Sequence, residues 1–441
     1  MTVAATDLPS RYRTHAARLY PTASQAEALN EQGHTARALW NLIHEWCTWG
    51  GSGHSGAGRP TAAEMDRQLR DARTDPLPDW EWLATLPAQA TQQVLKHYLR
   101  AWKRFFDGLA GPPRFKKRSS HMAVDVPQAS GLRIVRLNRR WGRVMIPRIG
   151  PVRFRWTRPL PGVSRSCLGR ITGARLVRDS LGWRICFRIE EPAIAAAPHS
   201  GPPIGIDRGV IHSLALSDGR NLDMPALLTK GEQRRLRRLE LQAARKRAIR
   251  APSAPASERE RRTYHQIAVI QARQARRRSD WLHKATTGLT KNHGVIVVED
   301  LQISNMTRSV RGTQEHPGTN AKAKSRLNRA ILGMAWGKTG RMLAYKSARA
   351  SGLFIAVSAA WSSLTCAECG HVAPGNRRSR EWFLCLICGH LAPADTNAAR
   401  VLLTRGFAAL SGTAPGHGVA GRGTFADGRV TKRQPTTGIG L

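Results

Sequence analysis

Four cysteines and three carboxylates hold the chemistry open to this sequence. Cys366 and Cys369 are separated by two residues, fifteen residues follow, and Cys385 and Cys388 repeat the spacing. Two residues between thiolates let one tight turn present both sulfurs to one ion. Gly370 and Gly389, directly after the pairs, allow the backbone of that turn. Two such knuckles make a tetrahedral four-sulfur cage for zinc. Four thiolates leave no open coordination position, so the spacing predicts a structural ion rather than a catalytic one. Its binding supplies roughly 10–16 kcal/mol of apparent folding free energy to a segment too small for its own core. His371 and His390 follow the knuckles and are not needed as ligands beside four cysteines. Cys47, Cys167 and Cys186 lack partners in sequence and read as inert thiols.

The acids stand where apolar segments end or a helix begins. Asp207 closes Ile204-Gly-Ile-Asp, Glu299 closes Val295-Ile-Val-Val-Glu with Asp300 behind it, and Asp395 opens Ala394-Asp-Thr-Asn-Ala-Ala. Taken singly each is ordinary, a turn residue or a helix cap. Acidic residues are scarce, 30 against 70 Lys and Arg, and a basic protein gains little from burying three of them. Carboxylates that converge are best explained by hard divalent cations. Two Mg²⁺ ions about 3.5–4 Å apart activate a water and stabilise the leaving oxygen of a phosphodiester. That is nuclease chemistry, and it needs no nucleophilic side chain.

The charge balance points to the same kind of substrate. The formal net charge is +40, and the commonest large polyanion is nucleic acid. Only 13 of the 70 cations are Lys, a preference a GC-rich genome would produce, but such a bias does not remove carboxylates. Arg234, Arg235, Arg237, Arg238, Arg245, Lys246, Arg247 and Arg250 fall in one helical stretch, and Arg273, Arg276, Arg277 and Arg278 in a second. From these clusters and from the basic positions below, we take Arg234, Arg235, Arg238, Arg245, Lys246, Arg276, Arg277, Lys116, Lys117, Arg153 and Arg155 as nucleic-acid contacts.

Other classes are argued against. The 441 residues are 41% hydrophobic, enough to bury real cores, so wholesale disorder does not fit. The longest apolar stretches, such as Leu353 to Trp361, run to about nine residues, against about 20 for a membrane span. No uninterrupted apolar signal region stands near the start. Seven cysteines, four of them in metal spacing, make no disulfide scaffold and point to a reducing cytoplasm. A single-strand transposase of the His-x-His type needs two histidines at spacing two, and none of the 15 has it.

The elements that must position these groups follow from periodicity. Thr14 to Tyr20 reads as a strand. Ser24 to Trp49 is helical, with Leu29, Ala36, Leu39, Trp40 and Ile43 on one face. A Gly-rich break runs from Gly50 to Gly58, and helices follow at Thr61 to Arg73 and Ala88 to Phe106. The latter carries Val94, Leu95, Tyr98, Leu99, Trp102, Phe105 and Phe106 as a core stripe. From Phe115 to Glu191 the period is that of strands, at Val144-Met-Ile, Val152-Arg-Phe-Arg-Trp, Ala174-Arg-Leu-Val-Arg and Trp183-Arg-Ile-Cys-Phe-Arg-Ile. Arg153, Arg155, Arg184 and Arg188 then line an outward face suited to a phosphate backbone. Residues 192 to 203 read as a linker. A strand ends at Asp207, a hairpin turns at Asp218-Gly219, and two Arg-rich helices, Glu232 to Arg250 and Glu258 to Leu289, flank a Pro- and Ser-containing breaker. Val295 to Val298 and Leu353 to Val357 are strands, Ser304 to Thr319 a mobile loop, Ser325 to Ala350 one helix, and Thr396 to Leu403 a short one. The tail after Gly406 is expected to be disordered.

The order Gly205-Ile-Asp, Val297-Val-Glu-Asp-Leu, two Cys-x2-Cys-Gly knuckles and Ala394-Asp-Thr-Asn-Ala-Ala resembles the RuvC-like nuclease domain of TnpB proteins and of the compact type V CRISPR effectors derived from them. Arg18-Leu-Tyr-Pro-Thr with Gln25 resembles the family's start. Leu86-Pro-Ala-Gln-Ala through Phe106 and Pro113-Arg-Phe-Lys-Lys resemble its recognition region, and Ile146-Pro-Arg-Ile-Gly and Arg158-Pro-Leu-Pro-Gly its wedge barrel. Leu327-Asn-Arg, Trp336-Gly and Tyr345-Lys resemble the helix before the last catalytic strand.

The resemblance implies an α+β multidomain chain. A wedge β-barrel would take residues 1–22 and 113–195 and carry a helical recognition insertion at 23–112. An RNase H-like (RuvC) core would take 196–365 and 391–405, with the zinc ribbon at 366–390 inserted in it and a disordered tail at 406–441. It implies an Mg²⁺-dependent, RNA-guided DNA endonuclease with Asp207, Glu299 and Asp395 as the catalytic triad. One copy of the chain would bind a guide RNA and cut double-stranded target DNA beside a short flanking motif, in a single site. Two departures stand out. Arg208 replaces an often apolar residue, and Ala359-Ala-Trp-Ser-Ser-Leu replaces a Pro-containing stretch ending in Thr-Ser-Gln. A CRISPR effector shares the chemistry. A guided repressor without cutting is argued against by the intact acids.

Overall fold

The structure, a computed structural model, describes residues 11–49, 60–74, 78–117, 121–164, 166–192, 197–251, 253–310 and 319–412. Contacts divide the chain into two compact units, residues 1–195 and 196–441. The Gly-rich break at 50–58, residues 311–318 of the loop expected over 304–319, and the tail beyond 412 lie outside the described residues, while 304–306 of that loop are helical.

The first unit is a seven-stranded sheet with helices. Strand β1 (Arg11–Tyr20) is followed by helices α1 (Ala23–Trp49), α2 (Ala62–Thr74) and α3 (Ala88–Phe106). Six strands follow: β2 (Met122–Val126), β3 (Ile134–Arg136), β4 (Trp141–Ile146), β5 (Gly150–Arg155), β6 (Arg170–Asp179) and β7 (Gly182–Glu191). The spatial order is β2-β6-β7-β1-β5-β4-β3, and every pairing is antiparallel. β1 joins the two halves, because Arg11 to Arg18 pair with β7 while Leu19 and Tyr20 pair with β5. The alternation read in β7 is real: Trp183, Ile185, Phe187 and Ile189 are buried, and the residues between them are half-buried. They pack in one core with Phe154, with Leu29, Leu39 and Ile43 of α1, and with Leu95 and Tyr98 of α3.

The apolar stripe of α3 outruns that core. Leu95 and Tyr98 are buried, but Phe105 is 37% and Phe106 68% exposed. The helix continues past the sheet, and Phe106 instead stacks on Trp102 with ring centroids 5.6 Å apart. A periodic stripe marks a face, not how far the neighbour beneath it extends.

The second unit is built on a mixed sheet. Its strands are β8 (Ile204–Asp207), β9 (Leu214–Leu216), β10 (Asn221–Leu222), β11 (Val295–Glu299) and β12 (Leu353–Val357), in the order β10-β9-β8-β11-β12. β8, β11 and β12 run parallel, and β9 is antiparallel to both its neighbours. Between β10 and β11 stand helices α4 (Lys230–Ile249) and α5 (Glu258–Asn292). Between β11 and β12 stand α6 (Ile303–Met306), α7 (Ala321–Met334) and α8 (Trp336–Arg349). A hairpin, β13 (Trp382–Leu384) and β14 (Leu391–Pro393), then leads into α9 (Ala394–Leu410).

The run Val-Ile-Val-Val in β11 lacks alternation because both faces are covered, as parallel strands usually are. Ile296 and Val298 pack with Ile206, Leu289 of α5 and Leu343 of α8. Val297 faces the other way, against Leu402 of α9. α9 lies so close that a Cβ on Gly205 would stand 2.0 Å from the carbonyl oxygen of Ala399, and one on Gly406 2.4 Å from a methyl of Val297. Glycine is the residue that lets backbones approach this way. It also explains why α9 runs to Leu410, beyond the expected end at Leu403: Gly406 sits inside the packed helix and does not terminate it.

α4 starts on a capping box. Thr229 accepts from the Glu232 amide at 3.2 Å, and Glu232 accepts from the Thr229 amide at 3.0 Å. α5 packs on α8, where the Lys346 ammonium donates to the hydroxyls of Thr286 and Thr287 at 2.6 and 2.7 Å. The single helix expected over 325–350 is two helices. Ala335 has φ 56° and ψ 38°, which breaks the chain into α7 and α8 despite alanine's helix propensity. The break buries Trp336, whose indole N–H donates to the Gly209 carbonyl at 3.3 Å. Among the described residues no helix is long and apolar enough to cross a membrane.

Candidate active site

Parallel pairing of β8 and β11 sets two of the acids side by side. Val298 is in register with Ile206, and the next residue on each strand is Glu299 or Asp207. Both stand at the carboxyl ends of strands whose chains leave toward opposite neighbours, the position where parallel sheets open a crevice for ligands. The Asp207 carboxyl donates a hydrogen bond to Glu299. Asp395 comes from a third element, the first turn of α9, and its charge acts on both other acids. Its own contact is Arg377, with Nη2 3.8 Å from Oδ1. Asp300 is exposed, and its amide donates to the Val357 carbonyl at 2.7 Å, which ties β11 to β12.

Burial and like charge raise the proton affinity of this group. Asp207 is pushed up to about 8, first by burial, then by the charges of Glu299 and Asp395 and its hydrogen bond to Glu299. Glu299 is raised by burial against the opposing pull of Arg208. Arg208 is not a surface departure. Its guanidinium is buried and donates to the backbone carbonyls of Glu299 and, at 3.3 Å, of Trp336. It thus braces the ends of β8 and β11 against the start of α8 and supplies the counter-charge the acids lack.

These shifts carry a stability prediction. Between an ordinary value of 3.8 and about 8, native Asp207 holds a proton that the unfolded chain has lost. Stability from this group is fully present below the lower value and falls as pH rises to the upper, by on the order of 1 kcal/mol per pH unit. Urea titrations of the metal-free protein should show that loss from pH 5 to 8, and Asp207→Asn should remove most of the slope. An unchanged slope in the variant would place the bound proton elsewhere.

The four cysteines form a compact cage. Their sulfurs all lie within 4.8 Å of one another, with Cys366 and Cys388 3.7 Å apart and Cys369 and Cys385 3.5 Å apart. A zinc ion about 2.3 Å from each of four sulfurs requires edges of about 3.8 Å, so the donors fit it. Gly370 and Gly389 take φ 77° and 70°, the left-handed geometry the spacing demanded. Among the described residues this is the one His, Cys, Asp or Glu set packed so tightly. The three acids couple through charge and a hydrogen bond rather than through a common 4.8 Å cluster.

Two buried asparagines brace the cage, one of them fastening it to the acids, and nothing in composition or spacing singled them out. Asn397 donates to the Thr365 carbonyl at 2.8 Å and accepts from the Ala367 amide at 3.0 Å, so the turn that carries Asp395 is fastened to the first knuckle. Asn376 donates to the carbonyls of Leu364 and His371 at 3.0 and 3.2 Å and accepts from the Leu386 amide at 3.0 Å, bridging both knuckles. The signal available in sequence was only that Asn397 stands two residues after an acid.

The basic residues divide by what they touch. Arg234, Arg235, Arg238, Arg245, Lys117 and Arg153 are exposed. Arg153 and Arg155 lie over Trp141 at 4.7 and 5.3 Å. Arg276 is half-buried on α5. Three others are engaged within the protein. Arg277 clamps Glu232 and donates to the Leu227 carbonyl at 2.8 Å. Lys246 donates to the Arg259 carbonyl at 3.1 Å and to the Thr263 hydroxyl at 2.8 Å. Lys116 sits 3.8 Å over Trp40 with its ammonium pushed down to about 8 by burial. Arg184 and Arg188, expected to face outward freely, pair with Asp179 and Asp125 at 3.4 and 3.9 Å.

Comparison with known proteins finds three matching family profiles. One described as "Helix-turn-helix domain" covers residues 11–44, one described as "Probable transposase" covers 184–310, and one described as "Cas12f1-like, TNB domain" covers 336–402. An Escherichia coli (strain K12) protein named "Putative RNA-guided DNA endonuclease InsQ" is 37% identical over 358 residues, 81% of this chain and 81% of its own. A Streptomyces pristinaespiralis protein named "Putative RNA-guided DNA endonuclease" is 28% identical over 407 residues, 89% of each chain. A chain of the "Cryo-EM structure of the Cas12f1-sgRNA-target DNA complex" aligns over 89% of this chain and 98% of its own, at 13% identity and a TM-score of 0.47.

Proposed function

The chain belongs to the TnpB family, that of its 37%-identical Escherichia coli relative, and on that premise we propose that it is an RNA-guided DNA endonuclease acting in the bacterial cytoplasm. The observation that carries the reading is the meeting of Asp207, Glu299 and Asp395, from three separate elements, in a chain of net charge +40. We read the second unit as an RNase H-like core, since four strands run one way with only β9 reversed and the acids lie at the strand ends. We read the antiparallel sheet of the first unit as the wedge and its helices as the recognition region.

Asp207, Glu299 and Asp395 would hold magnesium, and the four cysteines zinc. When bound, magnesium supplies the charge that activates a water and stabilises the leaving oxygen of a phosphodiester. The chain's own groups prepare the site. Asp207 would release its proton to solvent water on becoming a ligand, and Arg208 keeps the ends of β8 and β11 in register. α9, fastened at Asn397, presents Asp395. Exposed arginines of α4 and of the first unit hold the phosphate backbone, while base pairing with the guide selects the sequence.

The test is to purify the protein from its native locus context and sequence the RNA that accompanies it. RNA from the 3′ end of its own gene, running into adjacent DNA, is the expected result. Repeat–spacer RNA would instead mark a CRISPR effector, and no discrete RNA would remove the guided mechanism. Binding of the complex to duplex DNA should weaken steeply with salt, since each neutralised phosphate adds about 0.9 to the log–log slope.

A further inference from the structure

The segment from Ser358 to Thr365 links β12 to the first knuckle, and it holds an unexplained side chain. Trp361 takes φ 60° and is 66% exposed. A left-handed backbone is a genuine outlier for so bulky a residue, and such outliers persist only where surrounding structure enforces them. The enforcement is visible. Arg405 donates to the carbonyls of Ser358 and Ala360 at 2.9 and 2.8 Å. The Trp361 carbonyl accepts from the Thr365 hydroxyl at 2.8 Å and from the amides of Leu364 and Thr365 at 2.9 and 3.0 Å. Ser362, next in the chain, is buried and donates to the Ala359 carbonyl at 3.1 Å. A large indole is thus held out into solvent by a fixed turn, neither packed into a core nor on a loose loop.

Its position relates it to the acids. β12 ends at Val357, the register partner of Glu299. Thr365, which grips the Trp361 carbonyl, is itself held by Asn397, two residues beyond Asp395. Arg405, on α9 with Asp395, and Arg377, 3.8 Å from the Asp395 carboxylate, add positive charge. A fixed, exposed ring beside a phosphodiester-cutting site, in basic surroundings, complements a nucleobase whose backbone lies over the acids. The base must present its faces, which a stacked duplex does not allow and a single strand does.

We propose that Trp361 stacks on a nucleobase of the single DNA strand being cut and so sets that strand's position over the acids. This rests on the endonuclease reading above.

The test uses the protein with its guide RNA on target DNA carrying one abasic nucleotide, walked through the cut region. In the wild type, one abasic position should slow cleavage by roughly 5–150-fold, the range expected for losing one stacked base. Trp361→Ala and Trp361→Gly should slow cleavage of intact DNA by a similar factor and be indifferent to the abasic nucleotide at that position. Trp361→Phe, which keeps a ring, should recover most of the rate. Glycine accepts the positive φ, so a purely structural role predicts that Trp361→Gly cuts like wild type, and that result overturns the proposal. Penalties that multiply fully at every abasic position overturn it as well. A wild-type complex that cuts no DNA would fail the endonuclease reading itself, and this inference with it.

Discussion

Asp207→Ala abolishes DNA cleavage, by about a thousand-fold or more, and leaves guide RNA and DNA binding within a few-fold of wild type. The expectation follows from what surrounds the residue. Asp207 hydrogen-bonds Glu299, feels the charge of Asp395 and stands beside Arg208, so its removal disturbs the electrostatics of all three. On the proposed reading, removing it takes away a ligand of the divalent ion, and it leaves the Arg208 charge poorly balanced. A thousand-fold corresponds to roughly 4 kcal/mol of barrier, a modest demand on a residue proposed to hold the ion that would activate water and stabilise the leaving oxygen. Binding is spared because the exposed cations, Arg234, Arg235 and Arg238 among them, lie on α4, a different element from the strand that carries the acid. Cleavage by the variant at wild-type rate would sink the assignment of the site. Equal loss of binding and cutting would show that Asp207 acts on the fold instead.

Removal of the cage metal should have the second large effect. With Cys385→Ser, or after stripping with a strong chelator, residues 366 to 393 should become open to proteases, and cutting should fall by at least about a hundred-fold. Cys366 and Cys385 are buried with Phe383 and Ala394 in a cluster of four residues, far too little apolar area to fold alone. The roughly 10–16 kcal/mol of a four-cysteine zinc site therefore governs whether the ribbon exists. The damage reaches the acids through Asn397, whose partner Ala367 belongs to the segment that would unfold and whose partner Thr365 directly precedes it. The two sheets have their own cores and should survive, so far-ultraviolet circular dichroism should change little. Metal content by mass spectrometry, set beside cutting, checks the point: a metal-free protein with full activity would disconnect ribbon from site.

How much of this was legible beforehand depended on whether the signal was local. The acids and cysteines stood out because strand ends, knuckle spacing and a helix start are readable within a few residues. What brings them together is the register of β8 on β11 and the crossing of α9, which no local pattern encodes. The break at Ala335 was invisible for the same reason, since alanine favours helix and docking of Trp336 at Gly209 overrides it. The cations were read by count, and a count does not separate Arg234, exposed on its helix, from Arg277, which closes on Glu232. Arg208 read as an odd neighbour of Asp207, and only the fold shows it threaded inward to the Glu299 and Trp336 carbonyls. The extent of a core was also hidden, so Phe105 and Phe106 were assigned to an interior that ends before them.

The order of the three acids along the chain has a consequence for synthesis. Asp207 and Glu299 are made early, whereas Asp395 follows the ribbon and sits on the last described helix. At 5–20 residues per second, a ribosome needs roughly 10–40 s to travel from the first acid to the third. When Asp207 is made, 31 of the 70 lysines and arginines already precede it, and most of the rest of the charge accumulates during that interval. The nascent chain can gather nucleic acid, yet on the proposed reading it lacks the group that completes the site. A growing polypeptide beside its own messenger and template is therefore adhesive before it is destructive, and a prematurely terminated one never becomes destructive at all.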